Sequence, residues 1–365
     1  MTILHDLHAL GQSVWLDFIR RSLIASGELQ ELMDQGIRGV TSNPSIFNKA
    51  IGGSEDYDED LKAMLAEDPS VDPVTLYEGL ALKDIAAAAD VLRPLWDQSD
   101  AGDGFVSIEV NPKLAHDADG TVEEARRLWN TLKRPNIMIK VPATDEGLPA
   151  IRTLIGEGIN VNVTLIFGQE KYRQQAEAYI NGLEDRLDRG GDITQLNSVA
   201  SLFVSRLDTK ADAALAAIGE EELQGKIAVS NAKIVYSLFE VLFAGGRWER
   251  IVRAGGRVQR PLWASTSTKN PAYPDTMYVD PLVGPHTVNT MPPQTIEATL
   301  DHGIAKVAVR DGLDAARANL AQLAQCGISL HDLTDELLDE GVEKFDDAFD
   351  ELLEGVAAKA DSLHA

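Results

Sequence analysis

The chain has 365 residues, of which 44% are hydrophobic and 25% are charged, a balance typical of a globular enzyme with one large or two smaller α/β domains. Its net charge of −25 argues against a broad surface for nucleic acid or anionic membrane, although a few local cations can still define a pocket for a small anion. The single cysteine excludes an internal disulfide framework, and we find neither a signal peptide nor an apolar run of roughly 18 residues that would span a membrane, so we expect a cytoplasmic protein.

Short apolar runs alternate with amphipathic segments along the whole chain. Eight runs are predicted to be strands: Ser13–Asp17, Arg38–Thr41, Phe105–Val110, Ile137–Val141, Asn160–Phe167, Ser198–Val204, Pro261–Ser265 and Thr276–Val283. Strands that alternate with helices indicate a parallel sheet, and eight such units favour a closed (β/α)8 TIM barrel over an open sheet. With no repeat or low-complexity linker, we expect one domain over residues 1–365.

Helical patterns fill most of the intervals between these strands. We predict helices at Thr121–Leu132, where Thr121 and Glu124 have the spacing of a capping box, and at Gln169–Arg189. Residues 50–100 and 209–260 are longer than a crossover requires, so they are expected to carry extra helices. Near the C-terminus one apolar helical stripe is formed by Leu338, Val342, Phe345, Phe349, Leu352 and Val356. This stripe either packs on its own barrel or contacts another subunit.

Lys140 lies within the apolar run Asn136–Pro142, which is typical of a buried parallel strand. Desolvation of an ammonium group is costly and favours the neutral amine. A neutral amine is the nucleophile that forms a Schiff base with a carbonyl substrate. The alternative is a lysine at the end of a strand that extends its amine to solvent.

Polar residues occur at or near the C-terminal ends of seven predicted strands, which is where barrels of this kind place their active sites. Any one of these polar residues, taken alone, is compatible with a structural role. Their common position at the strand ends predicts a single polar site at that end of the barrel. The candidates are Asp17, Thr41, Asn43, Glu109, Lys140, Asn162, Thr164, Ser201, Arg206, Ser265 and Lys269.

These residue types suit cleavage and formation of a carbon–carbon bond in a ketose phosphate. Lys140 would form an iminium with the ketose, and Asp17 would remove and return the hydroxyl proton. Glu109 and Thr164 would handle the water that is lost and regained. Asn43 and Asn162 would bind sugar hydroxyls, and the phosphate would contact Arg206, Ser265 and Lys269.

Four segments, in this order, resemble motifs of the transaldolases. They are Val40–Phe47, Ile137–Gly147, Val161–Phe167 and Ser201–Arg206. The chain is most similar to the longer bacterial form of the family, which carries Trp263–Thr266 and Lys269–Tyr273 as well. Two positions depart from the pattern: Arg38 precedes Gly39 where the first motif usually has aspartate, and Lys269 stands in for a phosphate-binding arginine of the shorter forms.

The resemblance implies a TIM barrel in which Lys140 is the Schiff-base residue, Asp17 is the general acid/base, and Glu109 with Thr164 manages the catalytic water. Asn43 and Asn162 would bind the dihydroxyacetone moiety, with Thr41 and Ser201 nearby. The implied reaction moves a dihydroxyacetone unit from sedoheptulose 7-phosphate to glyceraldehyde 3-phosphate, and gives erythrose 4-phosphate and fructose 6-phosphate in the non-oxidative pentose phosphate pathway. It implies no metal or organic cofactor, and a monomer or homodimer as the assembly.

Two other functions remain open at this point. One is a class I aldolase of the fructose 6-phosphate aldolase type, which releases dihydroxyacetone. Those proteins are much shorter and carry tyrosine at the position of Glu109. The other is a non-catalytic barrel that binds sugar phosphates, although such a protein would need neither the Asp17 and Glu109 carboxylates nor the Lys140 amine.

Overall fold

A closed barrel of eight parallel strands forms the centre of the protein, for which the computed structural model describes residues 1–364. Each strand pairs with the next one in sequence, and the eighth pairs with the first. The predicted (β/α)8 barrel is therefore confirmed. The strands are β1 (Gln12–Leu16), β2 (Ile37–Val40), β3 (Phe105–Glu109), β4 (Ile137–Pro142), β5 (Val161–Ile166), β6 (Ser198–Phe203), β7 (Arg260–Ala264) and β8 (Thr287–Met291).

The strands form where apolar and β-branched residues run continuously, because helices cover the outside of the barrel and side chains fill its inside. Every residue of β4, β5 and β6 is buried. The parallel register places Glu109 beside Lys140 and Lys140 beside Asn162 on adjacent strands. These three polar residues therefore lie side by side at one level of the barrel wall.

The predicted eighth strand, Thr276–Val283, is wrong, while the other seven predictions agree with the structure within one residue at each end. That segment forms turns and a short 3₁₀ helix, Asp280–Leu282. Pro281 has no N–H group to donate to a sheet, and the Thr276 hydroxyl donates to Asp280 Oδ2 at 2.8 Å across the turn. The true strand, β8, pairs with β1 along its whole length.

Helices surround the barrel and include the extra ones expected within residues 50–100 and 209–260. They are α1 (Ile3–Ala9), α2 (Arg21–Ala25), α3 (Glu28–Asp34), α4 (Pro44–Gly52), α5 (Asp58–Glu67), α6 (Pro73–Gln98), α7 (Ala118–Leu132), α8 (Gly147–Glu157), α9 (Gln169–Asp188), α10 (Ser205–Ala217), α11 (Ile227–Leu242), α12 (Gly245–Arg253), α13 (Pro293–His302), α14 (Leu313–Gln325) and α15 (Leu330–His364). The predicted capping box of α7 is wrong. Asp117 caps the helix by accepting from the Gly120 N–H, and the Thr121 hydroxyl donates to the Leu114 carbonyl.

The C-terminal helix α15 packs on its own barrel, which confirms one of the two predictions for its apolar stripe. Leu352 and Val356 are fully buried, and Phe349 packs edge-on against Tyr77 of α6. Further along the stripe, the Phe345 ring lies 6.4 Å from the ring of Phe203 at the end of β6. Helix α15 therefore runs beside the ends of the strands where the candidate residues lie.

Within residues 1–364, no single helix has both the length and the apolarity needed to cross a membrane. One pair of consecutive helices, α11 and α12, passes the length and composition criteria when taken together, with a bend of 70° between them. The inner faces of both helices contribute buried residues, including Tyr236 and Trp248, to the core of the protein.

Candidate active site

Lys140 is buried in the mouth of the barrel. Its side chain is on β4 and only 6% of the residue is exposed. The Nζ atom donates to the Ser42 carbonyl oxygen at 3.0 Å and lies 3.3 Å from Glu109 Oε1. The ring centroid of Phe345 is 5.8 Å away. The amine thus points into an enclosed site that a carboxylate shares, and it does not extend to solvent.

Asp17 follows β1 and is held by a hydroxyl pair. The Thr41 hydroxyl donates to Asp17 Oδ1 at 2.6 Å, and the Thr290 hydroxyl lies 2.6 Å from that of Thr41. Burial raises the pKa of the Asp17 carboxyl, while the Thr41 hydrogen bond and the charges of Lys140 and Lys269 act in the opposite direction. Asp17 therefore lies within electrostatic range of the amines of both Lys140 and Lys269.

Glu109 ends β3 with a carboxylate that is mostly enclosed. Burial raises the pKa of its carboxyl, and the neighbouring Lys140 charge partly offsets that effect. Neither carboxylate oxygen of Glu109 accepts a hydrogen bond from the described residues. Buried polar atoms normally find a partner, so these oxygens have the capacity to bind water or substrate.

Thr164 lies where β5 becomes irregular. Its Oγ1 is buried and has no hydrogen-bond partner within residues 1–364. The next residue, Leu165, has φ of 58°, and the register of β5 on β6 shifts between Val163 and Ile166. A left-handed leucine and a bulge are strained features that re-aim neighbouring side chains. This distortion lies directly beside the buried Thr164 hydroxyl, near the end of the strand.

Asn162 is fixed by two serines on the neighbouring strands. Its Nδ2 donates to Ser107 Oγ at 3.0 Å, and its Oδ1 accepts from Ser201 Oγ at 2.7 Å. Asn43 is oriented differently, because its Oδ1 caps α4 by accepting from the Ile46 N–H at 2.9 Å. Helix capping therefore leaves the Asn43 Nδ2 group as the donor that it can present to a ligand.

Two cationic residues, Arg206 and Lys269, and one serine, Ser265, also lie at the mouth of the barrel. Arg206 lies in the first turn of α10 with its guanidinium 5.1 Å from the Phe203 ring, and its buried Nη1 has no partner in residues 1–364. Burial and the charge of Arg206 both lower the pKa of Lys269, so the two cations lie within electrostatic range. Ser265, in a left-handed conformation after β7, has its Oγ 2.8 Å from Ser205 Oγ.

The structure brings all eleven candidate residues to the same end of the barrel, but it gives Thr41 and Ser201 protein partners. Their hydroxyls donate to Asp17 and Asn162, respectively. The site also includes Ser42, Ser107, Thr290 and Phe345, to which sequence reasoning assigned no role. Ser42 stands between two candidate residues, and Ser107 precedes Glu109 by two positions on β3 and so shares its face.

The loop that carries Lys269 is tied to α10 by two tyrosine–aspartate pairs. Tyr278 donates to Asp208 Oδ2 at 2.9 Å, and Tyr273 donates to Asp212 Oδ2 at 2.6 Å. Burial raises the pKa of Asp208 to about 6, against the effect of its hydrogen bonds from Ala228 N–H and Tyr278. These contacts hold the Lys269 loop against the helix that presents Arg206.

Asp208→Asn is expected to gain stability relative to the unsubstituted protein as pH rises from 4 to 7. The Asp208 carboxyl binds its proton more tightly in the folded state than in the unfolded state. The contribution of Asp208 to the free energy of unfolding therefore falls as pH rises from the unfolded pKa, near 4, to the folded pKa, about 6. The pH-dependent part of the difference in free energy of unfolding between Asp208→Asn and the unsubstituted protein has an upper bound of about 3 kcal/mol. Urea unfolding at several pH values measures it, and Asp314→Asn, at a fully exposed site, is the control. A difference between Asp208→Asn and the unsubstituted protein that is constant with pH would refute the raised pKa.

Comparison with known proteins gives one consistent result. The profile of the family described as Transaldolase/Fructose-6-phosphate aldolase matches residues 14–356. The chain is 47% identical over 358 residues to a transaldolase of Parafrankia sp. (strain EAN1pec), which covers 97% of this chain and 96% of that protein. It is 48% identical to a transaldolase of Thermobifida fusca, with 97% of each chain covered, and 45% identical to one of Neisseria gonorrhoeae, with 97% and 99% covered.

Proposed function

This chain belongs to the transaldolase family, and from that premise we propose that Lys140 is the residue on which its substrate is carried as a Schiff base. The enzyme transfers a dihydroxyacetone unit from sedoheptulose 7-phosphate to glyceraldehyde 3-phosphate, and yields erythrose 4-phosphate and fructose 6-phosphate. The observation that carries the assignment of Lys140 is its burial at the barrel mouth, with Nζ 3.3 Å from a glutamate oxygen.

The first step joins Lys140 to the ketose. The Lys140 amine, once it has lost its extra proton, adds to the carbonyl carbon to form a carbinolamine, which loses its hydroxyl as water to give the iminium. Glu109 is close enough to take the proton that leaves the attacking nitrogen and to return it to the departing hydroxyl. Thr164, with its buried unpartnered hydroxyl, is the residue we assign to holding that water.

The second step breaks the carbon–carbon bond of the donor. Asp17 takes the proton of the hydroxyl on the carbon that becomes the aldehyde, and the electron pair of the broken bond moves into the iminium to form an enamine. The aldehyde product leaves and the acceptor aldehyde enters. The enamine carbon attacks it, and Asp17 returns the proton to the new hydroxyl. This leaves the new ketose bound to Lys140 as an iminium, which water hydrolyses to release fructose 6-phosphate and the free amine. Asn43 and Asn162 hold the hydroxyls of the three-carbon unit throughout.

The phosphate end of the substrate is assigned to Arg206, Ser265 and Lys269. Arg206→Gln should lower kcat/KM for fructose 6-phosphate by about 10- to 100-fold, since a hydrogen bond between charged groups contributes roughly 1.5–3 kcal/mol. Fructose without phosphate should be affected far less, because the lost contact is specific to the phosphate. Steady-state kinetics with both sugars measure the contrast, and Arg253→Gln on the exposed face of α12 is the control. Equal losses with both sugars would indicate a structural role for Arg206.

The proposed enzyme transfers the dihydroxyacetone unit to an acceptor, whereas a fructose 6-phosphate aldolase releases it. The experiment supplies fructose 6-phosphate with and without erythrose 4-phosphate, and follows sedoheptulose 7-phosphate and free dihydroxyacetone. We expect sedoheptulose 7-phosphate to form only with the acceptor and free dihydroxyacetone to remain a trace product. Comparable release of dihydroxyacetone without the acceptor would assign the chain to the aldolase branch of the family instead.

We also propose that the whole chain is one domain, since α15 packs against α4, α5 and α6 as well as against the barrel. A cytoplasmic location is supported by the unpaired Cys326, which suits a reducing compartment. Whether the assembly is a monomer or a homodimer stays a prediction, and analytical ultracentrifugation distinguishes the two.

A further inference from the structure

A second charged site lies at the opposite end of the barrel from Lys140. A cleft of about 740 Å³ opens among residues that precede or begin the strands. Arg38 is at the start of β2, Arg260 begins β7, and Arg257 lies just before it, while His8 and His286 also line the cleft. Clefts of roughly 300–1,000 Å³ accommodate small metabolites.

The cleft has more positive charge than its buried acid requires. Asp103 accepts from Arg38 Nε at 2.7 Å, from Ser13 Oγ at 2.7 Å and from Arg260 Nη1 at 3.3 Å. Burial would raise the pKa of this carboxyl, but Arg260 and Arg38 beside it hold the pKa below its usual value. One ionised carboxylate therefore faces two guanidinium groups, and Arg257 adds a third whose partner, Asp100, is largely exposed. In a chain with 58 acidic and 33 basic residues, this is a local reversal of the overall charge.

The arginines also retain donors that the protein does not use. Arg38 donates through Nε alone, and neither of its Nη groups has an acceptor within residues 1–364. Arg257 uses Nε on the Thr194 carbonyl and Nη2 on Asp100, which leaves Nη1 without an acceptor in the same described part of the chain. By contrast, Arg260 uses both of its Nη groups on four acceptors, so it serves mainly to build the cleft. Arg38 is also the residue that replaces the aspartate usual in the first transaldolase motif.

We propose that this cleft is a second anion site, in which Arg38 and Arg257 bind a phosphate group of a small phosphorylated metabolite. Guanidinium groups with free Nη donors match the forked geometry of phosphate oxygens. The site is separate from the catalytic mouth, because strands of four to six residues, with a rise of about 3.3 Å per residue, lie between the two. Its ligand is therefore held without contact with Lys140 or Arg206.

The two histidines supply a reporter for the site. Partial burial, followed by the charge of Arg38, lowers the pKa of the His8 imidazole, and burial with the charge of Arg260 lowers that of His286. A bound phosphate would offset the arginine charges. The titration midpoints of both imidazoles should therefore move upward when the cleft is filled, without any change at the catalytic site.

The test uses inorganic pyrophosphate as the probe and the Arg206→Gln protein as the background, so that binding at the catalytic mouth is weakened. Calorimetry should detect binding, and adding Arg38→Gln should weaken it by about tenfold or more, since a charge-assisted hydrogen-bond pair is lost. Adding Arg253→Gln should leave it unchanged. Arg38→Gln alone should retain transfer activity, because it lies far from Lys140.

Proton NMR of the unsubstituted protein gives the second measurement, with His8→Gln and His286→Gln to assign the imidazole signals. Upward movement of both midpoints with pyrophosphate supports the site. If the midpoints stay fixed, or if pyrophosphate binds equally with and without Arg38, the cleft is not an anion site. Neither of these results depends on transfer activity, so they leave the function proposed for Lys140 unaffected.

Discussion

Lys140→Met is expected to lower kcat for dihydroxyacetone transfer by about 10⁴-fold or more, as removal of a covalent nucleophile does in other enzymes. The thioether side chain has nearly the length of lysine but cannot add to a carbonyl. Lys140 is the amine that the barrel buries beside Glu109, so the substitution removes the group to which we assign carbinolamine formation. A coupled assay of erythrose 4-phosphate production measures the loss. Activity above about 1% of the unsubstituted enzyme would exclude an essential Schiff base at this position.

Two controls keep this result interpretable. Lys83→Met removes a lysine whose side chain is 62% exposed and pairs with Asp60 on the surface, and it should leave kcat within about twofold. Lys140→Met also removes a positive charge beside Glu109, so burial should raise the pKa of that carboxyl further. The loss of the Lys140 charge therefore favours the protonated form of Glu109 in the variant, which avoids an unpaired buried carboxylate. Far-UV circular dichroism and a urea titration check that its fold is retained.

Asp17→Ala is expected to separate Schiff-base formation from turnover. The variant keeps Lys140 and Glu109, so the iminium with fructose 6-phosphate should still form. The base that removes the hydroxyl proton is lost, and kcat should fall by about 10²–10⁴-fold. Rapid-quench trapping of the adduct, alongside steady-state transfer, measures the two steps separately. Near-normal turnover would show that Asp17 is not the acid/base.

Asp17→Asn is the matched variant, because an amide can keep the hydrogen bond from Thr41 while it cannot accept the proton. Burial raises the pKa of Asp17, and proton removal needs the carboxylate, so bond cleavage should slow as pH falls through that raised value. The slow residual cleavage by Asp17→Asn should lack this dependence. If the same acid limb persists in Asp17→Asn, it belongs to Glu109, whose pKa is also raised by burial.

The barrel and most of its strands were predictable because buried parallel strands are continuous apolar runs bounded by helical patterns. The eighth strand was misplaced because Thr276–Val283 is largely apolar, with Pro281 as the local sign against a strand. The turn bond from Thr276 to Asp280 and the pairing of β8 with β1 show where the strand lies. A single sequence does not reveal that long-range pairing, whereas local composition is visible in it.

The active-site residues were predictable as a set because strand ends converge in a barrel, but their individual partners were not. No local pattern distinguishes the Thr41 hydroxyl, which binds Asp17, from one that faces the substrate. Similarly, the stripe on α15 predicted an apolar face without indicating that Phe345 would lie 5.8 Å from the Lys140 amine. Arg38 stood out in sequence only as a departure from a motif, since its partner Asp103 is 65 positions away.

Borohydride reduction of the enzyme with fructose 6-phosphate, followed by peptide mass spectrometry, tests the assignment of Lys140 as the Schiff-base residue. Reduction converts the iminium into a stable secondary amine, so the modified residue is identified by mass. If this assignment is right, a reduced dihydroxyacetone adduct forms on Lys140 alone and none forms in Lys140→Met. An unmodified Lys140 in folded, active enzyme, or an adduct on a different lysine, would contradict it.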